Sequence, residues 1–193
     1  MSLSADLLGR GISIQDEFAS SAQVDGLIEC LAARRARGDF APARIGAGQS
    51  LQRREEIRGD SICWLNAPLL AAEARLLECF EQLRLQLNRE AFLGLFDLEL
   101  HYAAYPVGSG YARHLDQPRG NGRRKVSMVL YLNREWTPAM GGELRLFGEA
   151  EPPTDVQPLA GRLVCFWTEG REHCVLPARK ERLSISGWFG TRD

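Results

Sequence analysis

The residues that could carry chemistry are few, because the chain holds only three histidines: His101, His114 and His173. His114 opens a His-Leu-Asp triplet that ends at Asp116, and His173 follows 57 residues after Asp116. Imidazole nitrogens and a carboxylate oxygen are ligands for a divalent transition-metal ion. The triplet alone is a weak signal, because a surface histidine beside a turn aspartate has the same sequence.

Arg182 adds an anion-binding group nine residues after His173. Residues 177–181, with the sequence PARKE, predict a hairpin turn between them, which would place Arg182 on a strand antiparallel to the strand that bears His173. Strand alternation then predicts two faces for the last strand. The inward face would carry Arg182, Ser184, Ser186 and Trp188, and the opposite face Leu183, Ile185 and Phe189.

Two histidines and one carboxylate form the facial triad of non-haem Fe(II) oxygenases, which leaves three coordination sites open. A 2-oxo acid can fill two of these sites through its carboxylate and keto oxygens, and O2 can take the third. The far carboxylate of 2-oxoglutarate then needs a fixed bidentate partner, which the planar fork of an arginine supplies. The set His114, Asp116, His173 and Arg182 therefore indicates an oxygenase that uses Fe(II), 2-oxoglutarate and O2.

The sequence pattern of the elements that must position these four residues changes along the chain from helical to strand-like periodicity. Helical periodicity predicts helices over residues 20–37 and 68–89, joined by a mobile connection or loose hairpin over 42–60. Their apolar stripes are Val24, Leu27, Ile28 and Leu31 in the first, and Leu69, Leu76, Phe80, Leu83 and Leu87 in the second. From Phe96 onward, short apolar segments alternate with turn clusters, which is typical of a β-sandwich or barrel.

The predicted fold is therefore α+β: a double-stranded β-helix, or jelly roll, with supporting N-terminal helices. We expect a single domain over residues 1–193, with helical support and a substrate loop in 1–95 and the catalytic core in 96–190.

The composition argues against several classes of protein, namely nucleic-acid-binding, membrane-spanning and secreted proteins. The formal net charge of −1 argues against a nucleic-acid partner, which usually demands a clear basic excess. No apolar run approaches the ~20 residues that span a bilayer, and residues 1–10 do not resemble a secretory signal. Five scattered cysteines without a CxxC pair fit a reducing compartment. We expect a monomeric cytoplasmic protein with neither nucleic acid nor membrane as partner.

Residues 105–189 resemble the 2-oxoglutarate- and Fe(II)-dependent prolyl hydroxylases, and most of all the oxygen-sensing type that acts on hypoxia-inducible factor. Ile57, Arg58, Gly59 and Asp60, together with Trp64, extend the resemblance, so that it covers about two thirds of the chain. The matching segments are YPVGSGYARHLDQPRGNGRRKVSMVLYLNREW, GGELRLF, RLVCFW, HCV from His173 and RLSISGWF from Arg182.

The resemblance implies a role for each matching residue. His114, Asp116 and His173 would bind iron and form the catalytic centre. Arg182 and Tyr131 would hold the C5 carboxylate of 2-oxoglutarate, and Tyr105 would lie near its C1 end. Trp188 and Leu144 would line the pocket.

The resemblance also implies a substrate entrance and a reaction. Asp60 and Arg123 match positions that pair in the family and, with Arg58, shape the entrance, and residues 44–58 match a mobile loop that closes over the substrate. The reaction would hydroxylate C4 of a prolyl residue in an exposed loop of another protein and release succinate and CO2, with ascorbate as an optional reductant. The compact length resembles bacterial members, whose implied target is elongation factor Tu.

Two alternatives stay open from the sequence. The same cofactors could serve a small molecule, such as free proline, or a different side chain, and a non-catalytic jelly-roll binding module could keep the shape without the reaction. His101 stands where the eukaryotic relatives carry an apolar residue. It either borders the pocket or is a partly buried strand histidine.

Overall fold

The computed structural model describes residues 2–45, 54, 56–116, 122–148 and 152–192. The three helices are α1 (Leu3–Arg10), α2 (Ser21–Ala36) and α3 (Ala71–Ala91). The two longer ones match the predicted helices, and their predicted apolar stripes are largely buried. No helix in these residues has the length and apolar character of a membrane span.

Eleven strands and a short 3-10 helix (Pro138–Met140) make up the rest of the regular structure in the described residues. The strands are β1 (Ile12–Gln15), β2 (Ala41–Pro42), β3 (Ser61–Trp64), β4 (Leu95–Tyr105), β5 (Tyr111–His114), β6 (Arg124–Tyr131), β7 (Leu144–Leu146), β8 (Thr154–Val156), β9 (Leu163–Trp167), β10 (His173–Val175) and β11 (Arg182–Thr191).

These strands form two antiparallel sheets. The large sheet has the order β1-β9-β6-β11-β4-β3-β2, and the small sheet has the order β5-β10-β7-β8. Strands that are distant in sequence are neighbours within each sheet, which is the winding of a jelly roll. The predicted α+β fold with a double-stranded β-helix core is confirmed.

Alternation along the long central strands separates two apolar cores. On the outer face of the large sheet, Tyr102, Ile185 and Phe189 pack with Phe80 of α3 and Leu27 of α2. Between the sheets, a second cluster joins both layers through Ala103, Tyr105, Tyr131, Leu144, Leu146, Val156, Val164, Phe166 and Val175. The helices thus cover one face of the large sheet, and the other face is left to build a cavity against the small sheet.

The N-terminal half contributes more strand than the sequence predicted. β1 pairs with β9, and β3 pairs with β4, so both strands extend the large sheet beyond residues 96–190. Each has only four residues, which is too short for a period of two to stand out from its surroundings. Residues 46–53 and 55 lie outside the described residues, and they make up nearly half of the predicted connection over 42–60 and more than half of the predicted substrate loop over 44–58.

The predicted pairing of the strands that bear His173 and Arg182 is wrong. β10 pairs with β5 and β7 in the small sheet, whereas β11 pairs with β4 and β6 in the large sheet. Residues 177–181 therefore cross from one sheet to the other. A turn sequence fixes a reversal of direction but does not determine which sheet receives the next strand. The crossing places His173 and Arg182 on opposite walls.

A buried ion pair joins α2 to the first turn of α3. Arg34 of α2 donates from Nε and Nη2 to the Glu73 carboxylate at 3.1 and 2.7 Å, and Nη2 also donates to the Pro68 carbonyl at 3.0 Å. Glu73 is fully buried and accepts the Leu70 backbone N–H at the start of α3, at 2.8 Å. Its removal would leave the Arg34 guanidinium buried without its main counterion.

We therefore expect Glu73→Ala to lower the free energy of unfolding by about 3–5 kcal/mol, because one half of a buried pair loses its partner. Urea denaturation of the metal-free protein measures this. Glu181→Ala breaks the exposed Arg35–Glu181 pair, with its 2.7 Å contact, and is the matched control with a much smaller loss. Equal losses in the two variants would contradict this interpretation of the Arg34–Glu73 pair.

Candidate active site

Three side chains meet where the small sheet faces the cavity. His114 ends β5, His173 begins β10, and the two residues are register partners across the strands. Asp116 follows His114 by two residues, and its Oδ1 lies 3.5 Å from Nε2 of each histidine. One donor atom from each residue lies within 4.8 Å of the others, and the residues are the one such metal-capable group in the described part of the chain. The structure thus brings the predicted triad together.

Backbone carbonyls fix the orientation of both imidazoles. The Ala112 carbonyl lies 2.7 Å from His114 Nδ1, and the Arg171 carbonyl lies 3.1 Å from His173 Nδ1. A carbonyl can only accept, so each Nδ1 carries a proton and Nε2 is the ring atom that can bind a metal ion. This is the arrangement by which outer partners set the tautomer of a metal-ligating histidine.

The charges of the three groups suit a cation. Burial lowers the pKa of His114 below its ordinary value and outweighs the opposing effect of Asp116. Burial also acts to lower the pKa of His173, but the charge of Asp116 and its hydrogen bond to His173 outweigh it and raise that pKa. Burial would raise the pKa of Asp116, yet the two histidines hold it well below its usual range. Asp116 is therefore ionised near neutral pH and available as an anionic ligand.

A second layer of side chains supports the triad. The Tyr111 ring stacks on His114 with centroids 3.5 Å apart, and the Arg58 guanidinium lies 4.8 Å from the centroid of the Tyr111 ring. Arg58 is held in turn by a bidentate pair with the buried Asp60, at 2.7 and 3.1 Å. On the other side, Phe166 meets His173 edge-on at 4.9 Å. The imidazoles are thus fixed by packing as well as by hydrogen bonds.

Arg182 forms the opposite end of the site and is almost fully buried. Its Nε donates to the Gly142 carbonyl at 2.9 Å, and its guanidinium carbon lies 5.2 and 5.0 Å from the ring centroids of Tyr105 and Tyr131. Within the described residues, no carboxylate forms an ion pair with it. A buried charge without a counterion is costly, so this position calls for an anion from outside the chain.

Gly142 holds the carbonyl that orients Arg182. Its φ of +76° favours glycine, and a Cβ there would lie 2.9 Å from Ala178 Cβ and 3.4 Å from Arg182 Cδ. We expect Gly142→Ala to lower the free energy of unfolding by about 1–3 kcal/mol and to weaken anion binding at Arg182. Thermal unfolding and 2-oxoglutarate titration measure the two effects.

Gly108→Ala is the matched control for that prediction. Gly108 has a φ of +80°, but a Cβ there would meet nothing within 4 Å. The control therefore shares the backbone strain and leaves Arg182 undisturbed. Equal losses of 2-oxoglutarate affinity in both variants would contradict the role of the Gly142 carbonyl.

One cavity joins the two ends. Its lining includes the triad, Arg182, and the predicted pocket residues Tyr105, Leu144 and Trp188, as well as Arg58 and His101. Tyr131 is buried beside Arg182, and its hydroxyl has no hydrogen-bond partner among the described residues. The inward face predicted for β11 is confirmed, since Arg182, Ser186 and Trp188 all line the cavity.

The predicted pairing of Arg123 with Asp60 is wrong. Arg123 pairs with Asp97 at the start of β4, whereas Asp60 pairs with Arg58 two residues away. The sequence offers Asp60 two arginine partners, Arg58 and Arg123. Asp60 pairs with Arg58, which lies on the same chain segment. Of the predicted entrance residues, Arg58 lines the cavity and Asp60 anchors it, while Arg123 lies outside the lining.

Sequence reasoning missed Tyr111 and Gly142 as parts of the site. Strict alternation would put Tyr111 and His114, three residues apart, on opposite faces of β5. The register of β5 against β10 shifts between His173 and Val175, and Tyr111 reaches the His114 ring there. The Gly-Gly pair before β7 was an available signal for Gly142, because a glycine pair marks a special backbone position.

The donor set fits Fe(II) and 2-oxoglutarate on the observations of this structure. Two imidazole Nε2 atoms and one ionised carboxylate converge at one end of the cavity, which suits a divalent iron ion that would displace the proton shared by His173 and Asp116. An unneutralised guanidinium and an unpartnered tyrosine hydroxyl lie at the other end, which suits a carboxylate. A dicarboxylate with a metal-chelating end can satisfy both ends at once.

Comparison with known proteins places the chain in a family. Residues 100–190 match the 2OG-Fe(II) oxygenase superfamily, a span that contains the triad and Arg182. The chain belongs to this superfamily and is homologous to the prolyl hydroxylases within it.

Particular relatives lie close to the chain over its whole length. A Pseudomonas putida prolyl-4-hydroxylase structure has 42% identity and a TM-score of 0.90, and the match covers 99% of this chain and 98% of the other. A Trichoplax adhaerens prolyl hydroxylase, in complex with a hypoxia-inducible factor oxygen degradation domain peptide fragment, has 26% identity and a TM-score of 0.85. That match covers 97% of this chain and 87% of the other.

Egl nine homolog 1 of Homo sapiens is 31% identical over 95% of this chain and 44% of its own length. The chain thus spans about half the length of the first curated relatives that it matches.

Proposed function

We propose that this protein is a prolyl hydroxylase that consumes O2 and 2-oxoglutarate and hydroxylates C4 of a prolyl residue in another protein. The observation that carries the proposal is one cavity with the His114, Asp116 and His173 triad at one end and a buried, uncompensated Arg182 at the other. In the overall reaction, one oxygen atom of O2 enters the prolyl ring and the other enters succinate, while C1 of 2-oxoglutarate leaves as CO2.

The residues of the chain bind, orient and exclude water. His114, Asp116 and His173 would hold Fe(II), which supplies oxygen activation when bound. Arg182 would grip the C5 carboxylate through its fork, and the free Tyr131 hydroxyl would donate a second hydrogen bond to it. Tyr105, Leu144 and Trp188 would enclose the chain of 2-oxoglutarate in an apolar wall that keeps bulk water from the reacting centre.

The shape of the cavity rim supports a macromolecular target. Arg58 and Tyr111 line the cavity, and the nearby Trp64 is 41% exposed, although large aromatic rings are usually buried. The Trp64 ring lies 4.9 Å from that of His101 and 6.4 Å from that of Trp188, both of which line the cavity, and an exposed indole at such a position is a favourable contact surface for a peptide. The Trichoplax adhaerens relative binds such a peptide fragment, which supports the same class of target here.

Finer features of the proposal come from the resemblance to bacterial members. We propose elongation factor Tu as the candidate target and a monomer in the cytoplasm as the working form. Ascorbate would serve as the reductant that keeps the iron in the ferrous state. The 42% identity to the Pseudomonas putida prolyl-4-hydroxylase supports a bacterial type of target.

The experiment incubates the purified protein with Fe(II), 2-oxoglutarate and a native cytosolic extract in air. Succinate is measured, and peptide mass spectrometry searches for a gain of one oxygen. The His114→Ala/Asp116→Ala double variant is the control. We expect a new oxygen on a prolyl residue that is absent with the control. Succinate without a modified prolyl residue would contradict the prolyl target and point to a small molecule or another side chain.

A further inference from the structure

His101 is a buried polar side chain that the proposed reaction does not yet use. It lies on β4, is 2% exposed, and lines the same cavity as the triad and Arg182. Its Nδ1 is buried without a hydrogen-bond partner among the described residues. Buried polar atoms in native proteins are nearly always paired, so an unpartnered nitrogen in a residue that lines a cavity, as in His101 and the adjacent Trp188, is a candidate contact for a ligand.

The position of His101 along the cavity identifies which part of a ligand it faces. β11 pairs Arg182 with Tyr105, and Ser186 with His101, so His101 lies four residues from the Arg182 level. The Arg182 guanidinium leans toward His101, because its Nη1 donates to Ser184 Oγ at 3.4 Å. Ser184 is two residues from Ser186, or ~6.6 Å along the strand, which is roughly the length of 2-oxoglutarate. Asp116 lies on the His101 side, since its carbonyl accepts from Arg124, whose guanidinium lies over the Trp188 ring. His101 therefore faces the metal end of a dicarboxylate whose other end lies on Arg182.

The imidazole is rigid and uncharged. Its ring lies between Trp188, stacked at 5.4 Å, and Trp64, tilted at 4.9 Å. Burial, followed by the charge of Arg58, lowers the pKa of His101 to about 4, so the ring is neutral near pH 7 and carries one N–H. It is also outside the group of side chains that can share a metal in the described residues. A fixed neutral donor suits an anionic oxygen, whereas a rotating surface histidine would lose entropy on binding.

From these observations we infer that His101 donates a hydrogen bond to the C1 carboxylate of 2-oxoglutarate and so is a binding residue for its metal-proximal end. The inference rests on the proposed function, because it requires 2-oxoglutarate to span the cavity from the triad to Arg182.

The test measures binding rather than turnover. Mn(II)-loaded wild-type protein and the variants His101→Met, His101→Asn and His101→Gln are titrated anaerobically with 2-oxoglutarate by calorimetry. We expect His101→Met to raise the Kd for 2-oxoglutarate about five- to tenfold, the effect of one lost hydrogen bond. An amide nitrogen takes the place of Nδ1 in Asn and of Nε2 in Gln, so one of these two should recover most of the affinity.

Succinate is the matched ligand, because it lacks the C1 carboxylate. Its Kd should be the same in wild type and His101→Met, as should the Kd for Mn(II). An unchanged Kd for 2-oxoglutarate in His101→Met would overturn the inference. A parallel loss for succinate or Mn(II), without rescue by either amide, would also overturn it by showing a structural role. A higher KM for the target protein alone would overturn it in favour of a target contact. If the wild-type protein itself fails to bind 2-oxoglutarate, the proposed function fails, which distinguishes the two claims.

Discussion

Asp116→Ala is expected to abolish turnover and to weaken iron binding at least about 100-fold. Loss of an outer hydrogen-bond partner already costs 10–100-fold in metal affinity, and Asp116 is the anionic member of the triad itself. Its Oδ1 lies 3.5 Å from Nε2 of both His114 and His173, so its removal takes away the group that both imidazoles face. Two neutral imidazoles then remain to bind a divalent cation.

Anaerobic titration with Fe(II) measures the affinity, and succinate formation measures the turnover. Asp97→Ala is the matched control, because Asp97 pairs with Arg123 away from the cavity lining. The control should bind iron as the wild-type protein does. Undiminished turnover by Asp116→Ala would remove this residue from the assigned metal site.

Arg182→Lys is expected to raise the KM for 2-oxoglutarate at least about tenfold while iron affinity stays unchanged. The Arg182 Nε donates to the Gly142 carbonyl at 2.9 Å and Nη1 donates to Ser184 Oγ at 3.4 Å, which leaves three N–H groups of the two terminal nitrogens for a carboxylate. A lysine ammonium is a point charge that cannot keep this anchor and also offer a planar fork. Each charge-assisted hydrogen bond is worth roughly 1.5–3 kcal/mol, so the loss of one accounts for the change.

Initial rates at varied 2-oxoglutarate concentration give the KM, and a parallel Fe(II) titration shows whether the metal site is intact. Arg145→Lys is the matched control, since Arg145 forms a bidentate pair with Asp155 on the outer side of the small sheet, at 2.7 and 2.8 Å. Its KM should equal that of the wild type. A wild-type KM in Arg182→Lys would exclude Arg182 as the partner of the far carboxylate.

The His114–Asp116 pair and the inward face of β11 could be predicted because both follow from short-range rules. His114 and Asp116 are two residues apart, and a strand period of two fixes which of Arg182, Ser186 and Trp188 point inward. The structure confirms that these side chains reach one cavity. A facial triad needs a third ligand, and after His114 only His101 and His173 were left as histidines that could supply it.

The features that the sequence could not predict depend on long-range pairing. The turn over 177–181 could lead into either sheet, and only the pairing of β11 with β4 and β6 decides for the large one. Asp60 had two arginine candidates, and its choice of Arg58 depends on how the chain lies before β3. The β-strands β1 and β3 are too short for periodicity to reveal them.

His101 is a residue whose position could be interpreted only with both the sequence and the structure. The sequence marks it as a polar residue where relatives have an apolar one, and both readings of it were open. The structure shows that both are partly correct, because His101 is buried on a strand and also lines the cavity. Its register against Ser186 was needed to locate it at the metal end.

The assigned metal and 2-oxoglutarate sites are tested most directly by a crystal structure of the protein grown anaerobically with Mn(II) and 2-oxoglutarate. We predict one metal ion bound by Nε2 of His114, Nε2 of His173 and a carboxylate oxygen of Asp116. We also predict the C5 carboxylate of 2-oxoglutarate on the guanidinium of Arg182. A metal ion bound elsewhere, or a dicarboxylate that does not reach Arg182, would contradict these assignments.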